Sequence, residues 1–352
     1  MPGELAMTRN NTPSALILLC TLTLTGLRPV FAAPLNFYFD TAIPTIPAGT
    51  PAVAPSAPQQ PPQGVYGTDV TAEYQTALAA ADTVLTEELV KELKEYKVLF
   101  VPGLFSNVDK TKLPLVGIFC SSKTKPRYEE HMALLKSLGV DFERLELQTE
   151  SSIQVNAVGI TAAIRASKKP VIIIGSSKAG LDVLEALLTD KALVNKVRGV
   201  LMLQVPFMGT PVADKVVSNT KVGRFLNRIL TKLGGSLDSL LNLTTAEREI
   251  YMRQNSAAIE QLAATTPFIS VATWMDPAPK GTRDTGLKML RNFMLKRGLV
   301  NDGLVPLDSA VMPGAAYIKI PGADHGATAQ PTKLSFDRVK FTKAALAMLL
   351  SR

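Results

Sequence analysis

The segment VIIIGSSKAGLDVLEALL, Val171 to Leu188, leaves its backbone few choices. Val171 to Ile174 is an unbroken run of β-branched residues, the pattern of a strand buried on both faces of a parallel sheet. From Leu181 the apolar residues recur at 181, 184, 187 and 188, the spacing of one helical face. Only the short stretch from Gly175 to Gly180 joins the two, so the chain must bend sharply there. Gly175, Ala179 and Gly180 are small enough for a tight bend and for close packing of the helix on the sheet. A serine at the apex of such an elbow presents its hydroxyl above the sheet edge, beside a helix N-terminus. The sequence therefore makes Ser177 a candidate nucleophile. The alternative is that Ser176 and Ser177 only cap the helix.

The rest of the chain repeats the same alternation. KVLFVPG, VDFERLEL, PVIIIG, VRGVLMLQVP, PFISVAT and AAYIKI are predicted strands. YEEHMALLKSLG, SSIQVNAVGITAAIRAS and FTKAALAMLLS are predicted helices, as is a longer stretch from Asp69 to Tyr96. Alternating strands and helices predict an α/β fold, with a mostly parallel central sheet and helices on both faces. Sites in such sheets lie beyond the carboxyl ends of the strands.

A serine hydroxyl needs a base to remove its proton, and histidine is the usual one near neutral pH. The chain has two histidines. His131 falls in YEEHMALLKSLG, where a surface helix is expected. His325 falls in the Gly-flanked loop IKIPGADHGAT, directly after a predicted strand, where it can overhang the sheet edge. In NDGLVP, Asp302 precedes Gly303 and is the candidate acid, although Asp-Gly is also an ordinary turn dipeptide. Asp276, Asp284 and Asp308 compete with it. An oxyanion hole requires two backbone N–H groups. Lys178, directly after Ser177, is one candidate donor. Leu104, following Gly103 in LFVPGLFSN, is the other.

Taken in order, these segments resemble the α/β-hydrolases, and in particular the secreted bacterial true lipases, from about Val98 to the C-terminus. FVPGLFSN resembles their oxyanion loop, GSSKAG their nucleophile elbow and NDGLVP their acid loop. QVPFMGTPVAD, Gln204 to Asp214, resembles the segment that follows the next strand in that family. The resemblance implies an α/β-hydrolase fold with Ser177, Asp302 and His325 as a catalytic triad. Three positions depart from the family pattern: Pro102 and Ser176 stand where histidines are usual, and Ala179 where glycine is. The family's calcium site is not legible in this chain and is not carried over. No cofactor or metal is expected.

Between about 211 and 266 the strand–helix rhythm stops. Val222, Phe225, Leu226, Ile229, Leu230 and Leu233 share one helical face, and Thr244 to Glu247, TTAE, has the form of a capping box. A helical insertion at this place is expected to act as a lid or cap over an acyl pocket. Phe225 and Ile229, together with Phe105 beside the oxyanion loop, are its expected substrate contacts.

Residues 1–33 are expected to be an export signal, with a retained N-terminal membrane anchor as the alternative: Arg9, the apolar stretch SALILLCTLTLTGL, then small residues in PVFAAP. A Pro-rich linker over 34–68 follows, and the catalytic domain is expected over 69–352. Removal of the signal would leave Cys120 as the sole cysteine, excluding an internal disulfide. The net charge of +8 is scattered among acidic residues and aromatic content is 6%, which argues against a nucleic-acid partner. The expected function is hydrolysis of carboxylic esters by an exported serine enzyme of lipase or esterase type, with a lipid or other ester as substrate and contact with a lipid interface. Thioester or polyester hydrolysis, and a non-catalytic binding protein on the same fold, are the alternatives.

Overall fold

The computed structural model describes residues 67–106, 127–219, 224 and 236–352. The expected signal, most of the expected linker, Cys120, Phe225 and Ile229 lie outside the described residues. In chain order the elements are α1 (Thr71–Ala79), α2 (Glu87–Leu93), β1 (Lys97–Val101), α3 (Glu129–Leu138), β2 (Asp141–Arg144) and α4 (Ile153–Ala166). There follow β3 (Val171–Ser176), α5 (Lys178–Thr189), β4 (Val197–Leu203), α6 (Pro211–Ser218), α7 (Asp238–Leu241) and α8 (Thr245–Gln254). The chain ends with α9 (Ser256–Thr265), β5 (Phe268–Trp274), α10 (Lys288–Leu295), β6 (Ala316–Pro321) and α11 (Arg338–Leu350).

Each of the predicted strands forms. The stretch from Asp69 to Tyr96 is not one helix but two, because Thr86 turns extended and its Oγ1 accepts the Leu89 N–H at 3.3 Å, starting α2 afresh. The strands make one parallel sheet in the order β2-β1-β3-β4-β5-β6. The first strand lies one in from an edge of this sheet; the chain adds β2 outside it and then returns to add β3 on its other side. The order therefore reverses between β1 and β3, and the crevice beyond their carboxyl ends is where such a sheet places its site.

Alternate residues of each strand enter opposite layers, as the two-residue period of a strand requires. Leu99, Val101, Val171, Ile173, Val200 and Met202 pack with α4 and α5 on one face. Val98, Phe100, Ile172, Ile174, Leu201 and Leu203 pack with α1, α3 and α11 on the other. Close approach of α5 to the sheet depends on Gly180: a Cβ there would stand 2.1 Å from Val205 Cγ2. Among the described residues no helix is long and apolar enough to cross a membrane.

Two local expectations are corrected. His131 does not lie on a solvent face of its helix. It is fully buried with Leu134 and Leu135 on the inner face of α3, against the rings of Phe100 and Tyr128. TTAE does not close a capping box either: Thr244 Oγ1 donates to the Leu241 carbonyl, and α8 is capped from outside. Asp214 on α6 accepts the Thr245 N–H and hydroxyl, each at 2.8 Å, which ties α6 to α8.

Candidate active site

Ser177 is the hinge between β3 and α5. Its φ of 57° and ψ of −134° lie in a region that non-glycine residues seldom occupy, and they make the elbow sharp. The bend is held by the Ser177 N–H, which donates to Leu203 of β4 at 2.8 Å, and by the Ser177 carbonyl, which accepts from Gly180 at 3.1 Å. Ser177 makes no side-chain cap bond to α5. Its Oγ lies instead 3.0 Å from His325 Nε2. Ser176, one residue earlier, is buried, and its Oγ accepts from Arg127 Nη1 at 3.2 Å. Of the two hydroxyls at the turn, only that of Ser177 reaches a base.

His325 Nδ1 is 2.9 Å from Asp302 Oδ2, and the His325 N–H donates to the Asp302 carbonyl at 2.8 Å. Asp302 is buried, and its other carboxylate oxygen accepts the N–H groups of Leu304 at 2.9 Å and Val305 at 2.7 Å. Thus one Asp302 oxygen closes the Asp-Gly turn and the other holds the imidazole. Gly303 has φ 100°, and a Cβ there would lie 2.6 Å from Leu287 Cβ, so the turn requires glycine.

None of the competing carboxylates bonds to the His325 ring, whose nitrogens meet Asp302 and Ser177. Asp284 forms a two-pronged pair with Arg291 at 2.6 and 3.1 Å. That guanidinium holds the Asp284 carboxyl below the usual carboxylate range. The same Arg291 donates to the Asp276 carbonyl at 3.1 Å, and Asp308 opens a turn of 3-10 helix. Asp324, beside His325, accepts from the Thr285 hydroxyl at 2.7 Å, and burial pushes its carboxyl upward. His131, the other histidine, meets none of these groups, and burial lowers its imidazole to about 3, which keeps it neutral.

The two expected oxyanion donors flank Ser177. Lys178 is the first residue of α5, where the N–H has no intrahelical acceptor. Leu104 lines the same cavity as Ser177, on a loop pressed against the elbow: a Cβ on Gly103 would lie 2.6 Å from the Ser176 carbonyl. The Lys178 side chain points away into the protein, where Nζ pairs with Asp182 at 2.8 and 3.1 Å. Asn156 donates to the same carboxylate at 3.0 Å.

The cavity encloses about 750 Å³, its open mouth included. Ser177, His325 and Phe105 line it. Most of the remaining wall is aliphatic, from α6, α7 and the Asp302 loop: Val212, Val216, Leu240, Leu243, Leu304 and Val305. Among the described residues no group of three or more His, Cys, Asp or Glu side chains could hold a metal ion.

One residue that the sequence does not single out for the site is Gln204, buried at the end of β4 with φ 55°. Its Nε2 donates to Thr273 Oγ1 and, at 2.8 Å, to the Asp324 carbonyl. Its Oε1 accepts from the Gly326 N–H at 3.0 Å and the Thr328 hydroxyl at 2.9 Å. One amide thus grips the loop on both sides of His325. The only sequence signal for it is its place at a strand end.

No family model matches the chain, and no curated protein matches its sequence. Solved structures do. A metagenomic carboxyl esterase, MGS0156, superposes with a TM-score of 0.60 at 20% identity, over 73% of this chain and 76% of that one. The mature lipase BlEst2 of Bacillus licheniformis gives a TM-score of 0.49 at 20% identity, over 66% of this chain and 86% of that one. With its parallel sheet, its elbow at the end of β3 and the likeness to MGS0156, this chain has the α/β-hydrolase fold.

Proposed function

We propose that the protein is an exported serine hydrolase that cleaves carboxylic esters through an acyl-enzyme. One observation carries the reading: the His325 imidazole bridges Ser177 Oγ and Asp302 Oδ2 at 3.0 and 2.9 Å, at the mouth of a mostly aliphatic cavity. A fold neighbour that is a carboxyl esterase is in keeping with it. Export rests on the N-terminal sequence.

In this mechanism His325 Nε2 takes the Ser177 proton as Oγ bonds to the acyl carbon. Asp302 keeps the other imidazole proton on Nδ1 and stabilises the imidazolium. The Lys178 and Leu104 N–H groups receive the negative oxygen of the tetrahedral intermediate. As the intermediate collapses, the carbon–oxygen bond to the alcohol breaks, and His325 returns its proton to the departing oxygen. Water, deprotonated by His325, then attacks the acyl carbon and frees both the acid and Ser177. The aliphatic wall from α6, α7 and the Asp302 loop takes the acyl chain.

The direct test is hydrolysis of 4-nitrophenyl butyrate by the wild type and two serine variants. Ser177→Ala is expected to lower turnover by about 10⁴-fold or more. Ser176→Ala is expected to stay within about tenfold of wild type, since its hydroxyl meets Arg127 and not His325. An active Ser177→Ala protein would refute the assignment.

A further inference from the structure

The cavity wall is not uniform. Ser177 follows β3, which lies between β1 and β4 in the sheet. The aliphatic lining comes from connections after β4 and β5, including Val212, Val216, Leu240 and Leu304. The connection after β1, on the other flank of β3 in the sheet, supplies Leu104 and Phe105 and also a cation, Arg127. This guanidinium is 7% exposed, and its Nη1 is 3.2 Å from the Ser176 hydroxyl, next to the nucleophile. Among the described residues no carboxylate pairs with it, and Ser176 is its one hydrogen-bond acceptor.

Arg127 is also firmly placed. Tyr128, the next residue, is fully buried. Its N–H donates to the Ala329 carbonyl at 2.7 Å and its hydroxyl to the Val101 carbonyl at 2.9 Å. The backbone at Arg127 is thereby anchored between the end of β1 and the His325 loop. A buried guanidinium without a counter-ion is costly. A planar fork of N–H donors facing a cavity matches a carboxylate or phosphate.

We propose that Arg127 is a specificity-determining residue, selecting esters whose alcohol limb carries a compact oxyanion, a carboxylate or a phosphate, a few bonds from the scissile oxygen. The proposal rests on the reading of Ser177 as an ester nucleophile. With the acyl chain on the aliphatic side, the alcohol limb runs toward β1, and Arg127 is the charged group on that side. The short reach follows from position. Ser176 and Ser177 are neighbours about 3.8 Å apart along the chain, so the anion must lie close to the reacting carbonyl.

Three butyrate esters test this: 2-(butyryloxy)acetate, 2-(butyryloxy)ethyl phosphate and the uncharged methyl 2-(butyryloxy)acetate. For the wild type, kcat/KM is expected to favour at least one anionic ester over the methyl ester by about tenfold or more, mainly through KM. The anion with the larger preference identifies the source. Arg127→Met should bring the ratio to about one, and Arg127→Lys should fall between. A wild-type ratio of one, or a ratio that survives Arg127→Met, overturns the proposal. Calorimetric binding of the same esters to the full-length Ser177→Ala protein decides independently of turnover. Tighter binding of the anion, lost when Arg127→Met is added, supports the proposal, and equal binding of charged and uncharged esters overturns it. If the wild type leaves all three esters intact, the ester-hydrolase reading fails, and the binding comparison still settles the role of Arg127.

Discussion

Ser177 is held at φ 57°, in a backbone conformation that costs on the order of 1–3 kcal/mol, while Ser176 beside it belongs to a regular strand. The surrounding bonds from Leu203 and Gly180 fix that strain where the hydroxyl meets His325. The acid is set with similar economy, because the Asp302 carboxylate is divided between its own turn and the imidazole. Asp302→Asn is therefore expected to lower ester turnover by about 10³–10⁴-fold, since an amide cannot hold the same imidazole tautomer. Asp276→Asn and Asp284→Asn should stay within about tenfold, because neither side chain meets His325. Comparable losses in all three variants, measured with melting temperature as a check on folding, would undo the assignment. Ser177, Asp302 and His325 were legible because each is a chemically marked residue beside glycine at a predicted strand end. Gln204 and Arg127 were not. Their roles depend on which distant loop faces them, and neither residue type marks that in a sequence.

At the scale of the element, α5 starts the catalytic turn and is anchored within its first turns. Gly180 lets the helix touch Val205, and the buried Lys178–Asp182 pair ties its first turn to its second. Burial raises the Asp182 carboxyl from 3.8 to about 6, against the charge of Lys178 and the hydrogen bonds from Lys178 and Asn156, which lower it. The folded chain thus binds this proton more tightly than the unfolded chain. Its contribution to stability is fully present below about pH 4 and is lost as pH rises through 6. Urea unfolding between pH 3.5 and 7 should show that fall in the wild type and a flatter profile in Asp182→Asn. An unchanged profile would mean that Asp182 does not carry the titration. The apolar periodicity of α5 was plain in the sequence, but the burial of its charged residues was not, since the helix is covered on nearly every side. The burial of His131 on α3 escaped for a related reason: a polar residue between apolar ones marks no face by itself.

For the whole molecule, the sheet order places the elbow, the oxyanion loop and the histidine loop together, with α6 and α7 supplying an aliphatic wall. The inner strands β1, β3, β4 and β5 were legible because buried parallel strands are nearly continuous apolar runs, whereas the edge strands β2 and β6 mix apolar and polar residues. The helical face expected from Val222 to Leu233 lies outside the described residues. The cap of α8 was not legible, because the group that starts it is Asp214, from a separate helix. If that wall receives the acyl chain, each methylene buried against it contributes about 0.8 kcal/mol, or about fourfold in kcat/KM. Val216→Trp, which fills the aliphatic side, should lower kcat/KM for octanoate esters by at least about tenfold more than for acetate esters. Equal losses on both, in a protein with unchanged melting behaviour, would place the acyl chain elsewhere. The central claim is that Ser177, activated by His325, is the nucleophile, and mapping of a fluorophosphonate adduct tests it most directly. After reaction of the full-length protein, tryptic peptides are sequenced by mass spectrometry. The expected result is a single adduct on Ser177, absent in Ser177→Ala and strongly slowed in His325→Ala. An adduct on Ser176 or another hydroxyl, or none in a folded wild type, would contradict the account.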